Sequence, residues 1–542
     1  MNERVQALRE LSVTTQPHID MERAKSETAT YKKYEGQLSV PELRAQVLYD
    51  YFAAKTLYIG DGELIVGEKG DSPHGAPTFP ELCCHTIEDM HVMNDRELIS
   101  FSVKEEDYGY QEREIIPFWE KRSTRSKILA NMSAQWKDCY AAGIFTEFME
   151  QRGPGHTVGS FKLYEKGFLD YKADIQASID SLDYFHDTEA FEKRNQLRGM
   201  AKACDAIMLL GARYADYARE LAKKEKCDTR KAELLQIATN CDVVPAHKPQ
   251  TFWQAIQMYW FVHLGVTTEL NPWDAYSPGR FDQHLNPFYQ KDVEEGILDE
   301  KKALELLECL WVKFNNQPAP PKVGITLKES STYTDFANLN TGGITPDGQN
   351  GVNDVSYLIL DCMDEMKLLQ PSSNVTISKK TPARFLKRAC EISRKGWGQP
   401  AFYNTEAIVQ ELMNAGKTLA DARRGGTSGC VETGAFGNEA YILTGYFNIP
   451  KVFELTLNNG FDKMTGKQLG LKLGNAAESS KVFQSGGLAI NDDLKSVSVD
   501  GEAVRLTPIE YNILLLLVKN QGKVFSINQI YENIWNEEAI GA

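Results

Sequence analysis

Apolar residues recur every three to four positions through most of the first 472 residues, which is the spacing of amphipathic helices. The stretches Leu197–Lys224 and Lys301–Phe314 show this spacing over several turns, and each predicts a helix. Between such stretches, "NVTISK" (Asn374–Lys379) and "FELTLNNG" (Phe453–Gly460) are short apolar runs bounded by turn residues, which predicts strands. Helices that alternate with short strands favour an α/β body with parallel strands.

The hydrophobic pattern changes after residue 472. Small and polar residues fill Lys472–Phe483, so we predict a linker at residues 473–481. This linker would separate a large domain, residues 1–472, from a small domain, residues 482–542.

The small domain carries its own local signals. Asp500-Gly501 between two β-like runs predicts a tight hairpin turn. Thr507 and Glu510 have the spacing of a capping box, which predicts that a helix begins at Pro508. A second box over residues 526–529 predicts another helix after it.

Composition narrows the function classes. The chain has 542 residues and a formal net charge of −15, which argues against a dominant nucleic-acid surface. Ten scattered cysteines without a C-x-x-C pair disfavour a disulfide framework and a zinc ribbon, and we predict no metal site. The first residues lack the apolar region of a signal peptide, and the longest apolar run, Ile513–Val518, is too short to span a bilayer. We therefore expect a cytoplasmic protein that has no membrane segment.

The stretch "GTSGCVETGAFG", Gly426–Gly437, concentrates candidate chemistry. Its glycines permit backbone shapes and close approaches that other residues cannot make. Cys430 and Glu432 are two residues apart, so an extended tip would direct both side chains to one side. A thiol can then attack or abstract while a carboxylate moves protons. The alternative is that Cys430 is a small buried hydrophobic residue.

A cysteine–histidine hydrolase is one option for this thiol. His156, in "RGPGHTVG", is the candidate histidine. No local signature of the papain or caspase type surrounds either residue, which argues against this reading.

The loop around Cys430 resembles the active-site cysteine loop of glycyl radical enzymes, the pyruvate formate-lyase-like family. The resemblance covers about residues 1–472 and includes five further motifs in the family's order: Gly60–Glu68, Arg152–Gly159, Ser277–Gln283, Gly342–Asp361 and Gly396–Val409. It implies a partial ten-stranded α/β barrel that is rich in helices. In this family a thiyl radical on the loop cysteine removes a hydrogen atom from the substrate.

The pattern Cys430-Val431-Glu432 resembles the eliminating branch of the family, which contains dehydratases and C–N lyases. The continuation "NEAYILTGYFNIP" resembles the members that dehydrate trans-4-hydroxy-L-proline to a pyrroline-carboxylate. The resemblance therefore implies that Cys430 is the thiyl site and Glu432 the acid/base. Choline, glycerol and propanediol eliminases share the Cys-x-Glu loop and stay open as alternatives.

The same resemblance implies substrate-binding roles for five residues: His156, Asp274, Ser330, Tyr446 and Phe148. His156 would assist the substrate hydroxyl and Asp274 would pair with the amine. Each has a structural alternative, namely a core histidine, a turn or capping aspartate, or plain packing for the two aromatics. Arg280 and Asp282 are interpreted as an internal ion pair.

The family's cofactor is a radical on a backbone glycine, installed by a radical-SAM activating enzyme. It lies within a pattern such as Arg-Val-Ser/Ala-Gly-Tyr/Phe, which these 542 residues do not contain; Thr444-Gly445-Tyr446 lacks the preceding Arg-Val. We therefore expect the large domain to be C-terminally incomplete and the chain to have no dehydratase turnover by itself. A homodimer stays open.

Residues 482–542 resemble the winged-helix effector domain of OmpR/PhoB-type response regulators. That resemblance implies a recognition helix and a wing after Trp535, which we expect to be truncated. Eight acidic residues between Asp492 and Glu538 leave no basic stripe for phosphates, so DNA binding is not expected. The alternatives are a transcription factor whose large domain senses a metabolite, and a fusion or assembly error of unrelated segments.

Overall fold

The computed structural model describes residues 1–97, 99–147, 156–270, 275–320, 323, 327, 336–429, 431–439, 445–472 and 482–535. The chain divides into two compact units. The first unit comprises residues 1–130 and 148–444, and the second comprises residues 131–147 and 445–542.

Helices make up most of the first unit. The helices of the described residues are α1 (Glu3–Thr14), α2 (Glu22–Tyr34), α3 (Val40–Ala54), α4 (Ile87–Asp95), α5 (Glu105–Tyr110), α6 (Ile116–Trp119), α7 (Thr124–Asn131), α8 (Ala134–Ala141), α9 (Lys162–Glu165), α10 (Phe168–Asp180), α11 (Ala190–Lys224), α12 (Asp228–Val243), α13 (Phe252–Glu269), α14 (Phe281–Glu294), α15 (Glu300–Asn315), α16 (Asp354–Met366), α17 (Ala383–Ser393), α18 (Thr405–Asn414), α19 (Leu419–Arg424), α20 (Ile449–Leu457), α21 (Pro508–Lys519) and α22 (Ile527–Trp535). The predicted helices at Leu197–Lys224 and Lys301–Phe314 lie within α11 and α15.

Strands are short. They are β1 (His18–Asp20), β2 (Gly75–Pro77), β3 (Phe145–Glu147), β4 (His156–Thr157), β5 (Ala275–Ser277), β6 (Phe336–Gly342), β7 (Ser372–Ile377), β8 (Ala401–Asn404), β9 (Gly426–Thr427), β10 (Thr433–Gly434), β11 (Gly445–Phe447), β12 (Phe461–Asp462), β13 (Lys467–Gln468), β14 (Val482–Ser485), β15 (Leu488–Asn491), β16 (Ser496–Val499) and β17 (Glu502–Val504).

Five of these strands form the central sheet of the first unit, in the order β4-β5-β6-β7-β8. All four pairings are parallel, because helices separate each strand from the next along the chain. The first four residues of the predicted strand "NVTISK" lie in β7, which ends at Ile377. In the register of β6 with β7, Asn340 lies beside Asn374.

The core of the first unit packs against this sheet. Helix α13 is buried along most of its length, and its Trp260 is fully buried. Leu339 of β6 belongs to the same apolar cluster, which also takes side chains from α15 and α16. The core thus covers one face of β6.

The predicted strand at Phe453–Gly460 is wrong, because this segment begins within α20. Asn448 caps that helix, and its side chain accepts a hydrogen bond from the Lys451 N–H at 3.1 Å. Pro450 stands in the first turn, where a proline costs no hydrogen bond. These start signals precede the apolar run that suggested a strand.

In the second unit, β14 to β17 form an antiparallel sheet. The predicted hairpin turn is present, with positive φ at Asp500 (52°) and Gly501 (88°) between β16 and β17. The predicted capping box of α21 is also present, since Thr507 accepts from the Glu510 N–H and Glu510 accepts from the Thr507 N–H. Ser526 and Gln529 make the corresponding contacts before α22.

Among the described helices, none is long and apolar enough to cross a membrane.

Candidate functional site

The glycine-rich stretch forms a hairpin in the first unit. Strand β9 pairs with β10 antiparallel, with Thr427 opposite Thr433 and Gly426 opposite Gly434. The Ser428 N–H donates to the Glu432 carbonyl at 2.9 Å, which closes the loop of residues 428–432. Strand pairing therefore ends before the tip, and the extended tip considered from the sequence stays a prediction because Cys430 lies outside the described residues.

Cys430 lies at this tip but outside the described residues. Glu432 is half-buried, and its Oε2 accepts a hydrogen bond from the Val431 N–H at 3.1 Å. The carboxylate thus turns back toward the backbone next to Cys430. Its role as acid/base stays a prediction.

Three asparagines from the central sheet hold the loop; we call Asn338, Asn340 and Asn374 the amide bracket. Asn340 Nδ2 donates to the Thr427 carbonyl at 2.6 Å, and its Oδ1 accepts from the Thr427 N–H at 3.0 Å. Asn374 Nδ2 donates to Thr427 Oγ1, and Asn338 Nδ2 donates to the Gly429 carbonyl. The bracket therefore fixes the backbone at both residues 427 and 429.

Alternation along β6 and β7 puts the bracket on one face of the sheet. Asn338 and Asn340 are two residues apart, while Leu339 between them packs into the core on the other face. On β7, Val375 likewise packs into an apolar cluster. Parallel strands usually carry apolar side chains on both faces, and asparagine is depleted in strands. The buried asparagines thus form a polar face suited to binding a loop.

Arg280 holds the start of the hairpin. Its guanidinium donates to the Gly425 carbonyl at 2.6 Å and to Thr376 Oγ1 at 2.8 Å. Burial lowers the pKa of Arg280 to about 10, which leaves it charged at neutral pH.

Asp282 has other partners. It accepts hydrogen bonds from the Gly342 N–H at 2.7 Å and from Ser356 Oγ at 2.5 Å, and burial raises its pKa to about 6. Among the described contacts, Arg280 and Asp282 do not form the ion pair interpreted from the sequence. The two charges still attract, because Asp282 opposes the lowering of the Arg280 pKa and Arg280 opposes the raising of the Asp282 pKa. The hydrogen bonds of each side chain, however, go to a different part of the sheet and its helices.

Close approach explains one glycine of the loop. A Cβ on Gly426 would lie 2.5 Å from Asn340 Oδ1 and 2.7 Å from the Phe436 ring. Any larger residue would push the hairpin away from the bracket. The predicted close approach is therefore present at this position.

The structure describes two of the five predicted substrate-binding residues. His156 begins β4 and pairs with Tyr276 of β5 in parallel register. Tyr446 lies in β11 of the second unit, opposite Thr146, and 59% of its side chain is exposed. Three of the predicted substrate-binding residues lie outside the described residues: Phe148, Asp274 and Ser330.

Sequence reasoning missed the amide bracket and the loop-binding role of Arg280. The available signal was the alternation of asparagines in "FANLNTGG" and the asparagine in "SSNVTI". These are strand-like stretches that carry amides where apolar side chains are expected.

Two family models match the chain. The model for pyruvate formate lyase-like proteins matches residues 1–485, and the model for "Transcriptional regulatory protein, C terminal" matches residues 501–542. The second match agrees with the antiparallel sheet and two helices of residues 482–535.

Several known proteins are similar over the large domain. Trans-4-hydroxy-L-proline dehydratase of Clostridioides difficile is 67% identical over 473 residues, which cover 87% of this chain and 60% of that protein. Isethionate sulfite-lyase of Nitratidesulfovibrio vulgaris is 33% identical over 476 residues, covering 85% of this chain and 57% of that protein. The chain thus spans about three fifths of the length of the curated relatives it matches.

Solved structures agree with the sequence matches. The C. difficile hydroxyproline dehydratase with trans-4-hydroxy-L-proline bound superposes with a TM-score of 0.85 and 66% identity, covering 89% of this chain and 61% of that one. The B12-independent glycerol dehydratase of Clostridium butyricum gives a TM-score of 0.80 at 32% identity, with 89% and 60% covered. The predicted α/β fold class is confirmed, and the chain belongs to the pyruvate formate lyase-like family of glycyl radical enzymes.

Proposed function

We propose that this chain binds trans-4-hydroxy-L-proline and serves its dehydration through thiyl chemistry at Cys430. The observation that carries the proposal is the 67% identity to a dehydratase of that substrate. The anchored loop of residues 425–434 supports it, because hydrogen-atom transfer needs a reactive group held in place.

The dehydration is balanced without a net electron change. The Cys430 thiyl takes a hydrogen atom from the carbon beside the ring nitrogen, the C–O bond at the neighbouring carbon breaks, and the hydroxyl leaves as water with a proton that the ring nitrogen gives up. Glu432 is the group that moves this proton. The hydrogen atom returns from the Cys430 thiol at the end of the cycle.

A glycyl radical supplies the family with the oxidising equivalent that turns the cysteine thiol into a thiyl. Thr427 and Ser428 are fully buried, so the foot of the loop is shielded from solvent, whereas 70% of Val431 is exposed. Radical chemistry at Cys430 would need this part of the loop to be covered as well. A radical-SAM activating enzyme is the partner that this chemistry requires. Substrate contacts of His156, Asp274, Ser330, Tyr446 and Phe148 belong to the same proposal.

Calorimetry with the purified 542-residue chain tests the substrate. We expect trans-4-hydroxy-L-proline to bind at least about tenfold more tightly than L-proline, because a site built for a hydroxyl leaves polar groups unpaired when the hydroxyl is absent. Glu432→Gln should weaken binding, while Glu411→Gln, at an exposed position of α18, should not. Equal affinity for both amino acids contradicts the substrate, and tighter binding of glycerol favours a diol eliminase such as the C. butyricum relative.

The absence of turnover by the chain alone stays a prediction. After treatment with an activating radical-SAM enzyme, electron paramagnetic resonance should show no glycyl doublet on these 542 residues. A doublet would refute that prediction and would leave the proposed substrate unaffected.

A second candidate function is gene regulation, favoured by the family match over residues 501–542. In that case the large domain would sense a metabolite and the small domain would bind DNA. The acidic residues of the small domain argue against it. A gel shift with promoter DNA should therefore show no complex, and a salt-sensitive, sequence-specific shift would establish this second function.

A further inference from the structure

Asn338 contacts the residue directly before Cys430. Its side chain is fully buried on β6, and Nδ2 donates to the Gly429 carbonyl. The Gly429 carbonyl and the Cys430 N–H share one peptide plane, which is rigid. A side chain that fixes this carbonyl therefore also fixes the orientation in which the backbone enters Cys430.

We infer that Asn338 is the positioning residue for the Cys430 thiol, an inference that rests on the proposed thiol chemistry. Asn340 and Asn374 hold the loop at Thr427, two residues before Gly429. Asn338 is the last clamp before the reactive residue. The other described contacts of the loop lie at residues 425 and 427 and in its own closure from Ser428 to Glu432, so Asn338 is the described anchor nearest to Cys430.

The Oδ1 atom of the same amide indicates that Asn338 does not serve stability alone. Its Oδ1 is buried and accepts no hydrogen bond from the residues that the structure describes. An unsatisfied buried acceptor is costly, and an apolar residue of similar size would avoid that cost. A residue that breaks a packing rule in the core is expected where function requires it. The function visible here is the hydrogen bond to Gly429.

Thiol alkylation tests the inference without substrate, radical or turnover. In the full chain, the rate at which iodoacetamide modifies Cys430 is measured by peptide mass spectrometry. We expect Asn338→Ala to raise this rate about tenfold, the change that corresponds to losing one buried hydrogen bond. Asn338→Asp should raise it as much, because a carboxylate cannot donate to the Gly429 carbonyl.

Internal references separate local positioning from general loosening. Cys309 and Cys362 are buried in the core of the same unit, and their alkylation rates should not change. Ser373→Ala removes a buried polar group next to the bracket on β7 and should leave Cys430 unchanged. An unchanged Cys430 rate in both Asn338 variants, or a parallel rise at Cys309 and Cys362, overturns the inference.

If Asn338→Ala fails to fold, Asn338→Asp, which keeps the side-chain volume, carries the test, and Asn374→Ala is the comparison that changes the neighbouring contact. It removes only the bond to Thr427 Oγ1, so we expect a smaller rise, about threefold, at Cys430 alone. A rise at Cys430 in Asn374→Ala that equals or exceeds the rise in Asn338→Asp overturns the inference, because Asn338 would then have no special part in positioning the thiol. The result does not depend on which substrate binds, so failure of the proposed function is seen separately in the calorimetry.

Discussion

Two hairpins of this chain are built in different ways. The hairpin of β16 and β17 is set by its own sequence, since Asp500-Gly501 supplies the two positive φ angles of a tight turn. The hairpin of β9 and β10 pairs over only two residues on each side. It is held instead by asparagines and an arginine that are distant along the chain. The hairpin of β16 and β17 is specified locally, whereas the loop of residues 425–434 is specified by the sheet around it.

The largest loss of stability is expected from Asn340→Asp, which tests whether the sheet holds the loop of residues 425–434. The carboxylate loses the donor to the Thr427 carbonyl and faces that oxygen, so the first unit should lose about 3 kcal/mol of unfolding free energy. Urea unfolding followed by circular dichroism measures it. The matched control is Asn404→Asp at the start of α18, where Asp caps a helix as well as Asn and the change should stay within about 0.5 kcal/mol. Equal losses of unfolding free energy in both variants would show that the amide bracket stabilises the first unit no more than a helix cap does.

Glycine substitutions compare the two hairpins directly. Gly426→Ala places a methyl group against Asn340 and Phe436 and should cost about 2 kcal/mol through overpacking. Gly501→Ala meets no neighbour within 4 Å and is penalised by its positive φ alone, at about 1 kcal/mol. Thermal unfolding of each variant gives the ranking. A larger loss of stability for Gly501→Ala would contradict the view that the loop of residues 425–434 depends more on its surroundings than the hairpin of β16 and β17 does.

Acid should weaken the first unit through His263. This residue of α13 is fully buried, stacks on Trp260, and burial lowers its pKa to about 3. The unfolded chain binds a proton near pH 6.5, so the stabilisation is present above that pH and is lost as the pH falls toward 3. Between pH 7 and pH 5 the loss is about 2 kcal/mol.

His263→Phe should remove about 2 kcal/mol of this pH dependence and leave the shares of His74 and His284, whose pKa values burial also lowers. His186→Gln, at an exposed site, should leave the pH dependence unchanged. Denaturant midpoints at several pH values decide the matter. A slope that His263→Phe leaves unchanged would contradict the share assigned to His263.

The smallest loss of stability is expected in the second unit, from removal of the Thr507 cap of α21. Thr507→Ala removes the cap of α21 and should cost about 1 kcal/mol. Hydrogen exchange at the Glu510 amide, which donates to Thr507 Oγ1, should accelerate. Exchange that stays at the wild-type rate would mean that packing of residues such as Tyr511 holds this helix without its cap.

The sequence predicted the locally specified elements, and it did not predict the contacts made by residues that are distant along the chain. The capping box at Thr507, the turn at Asp500-Gly501 and the helices within α11 and α15 were predictable because their signals are local. The cysteine loop was found through its resemblance to a family. Its anchors on β6 and β7 were not, because contacts across about 90 residues leave only an unusual amide in a strand as a trace.

The failed predictions have the same origin. The segment after Asn448 has the alternation of a strand, but a proline and a cap begin a helix there. Arg280 and Asp282 have opposite charges two residues apart, yet the sheet and α16 supply better partners for each. Neither outcome is visible without the neighbours that the fold brings in.

Hydrogen–deuterium exchange over residues 425–437, with and without trans-4-hydroxy-L-proline, tests the central claim most directly. If this loop is the site of substrate chemistry, its amides exchange more slowly with trans-4-hydroxy-L-proline, and less so with L-proline, while the peptides of β16 and β17 are unaffected. Exchange over residues 425–437 that ignores both amino acids would contradict the account.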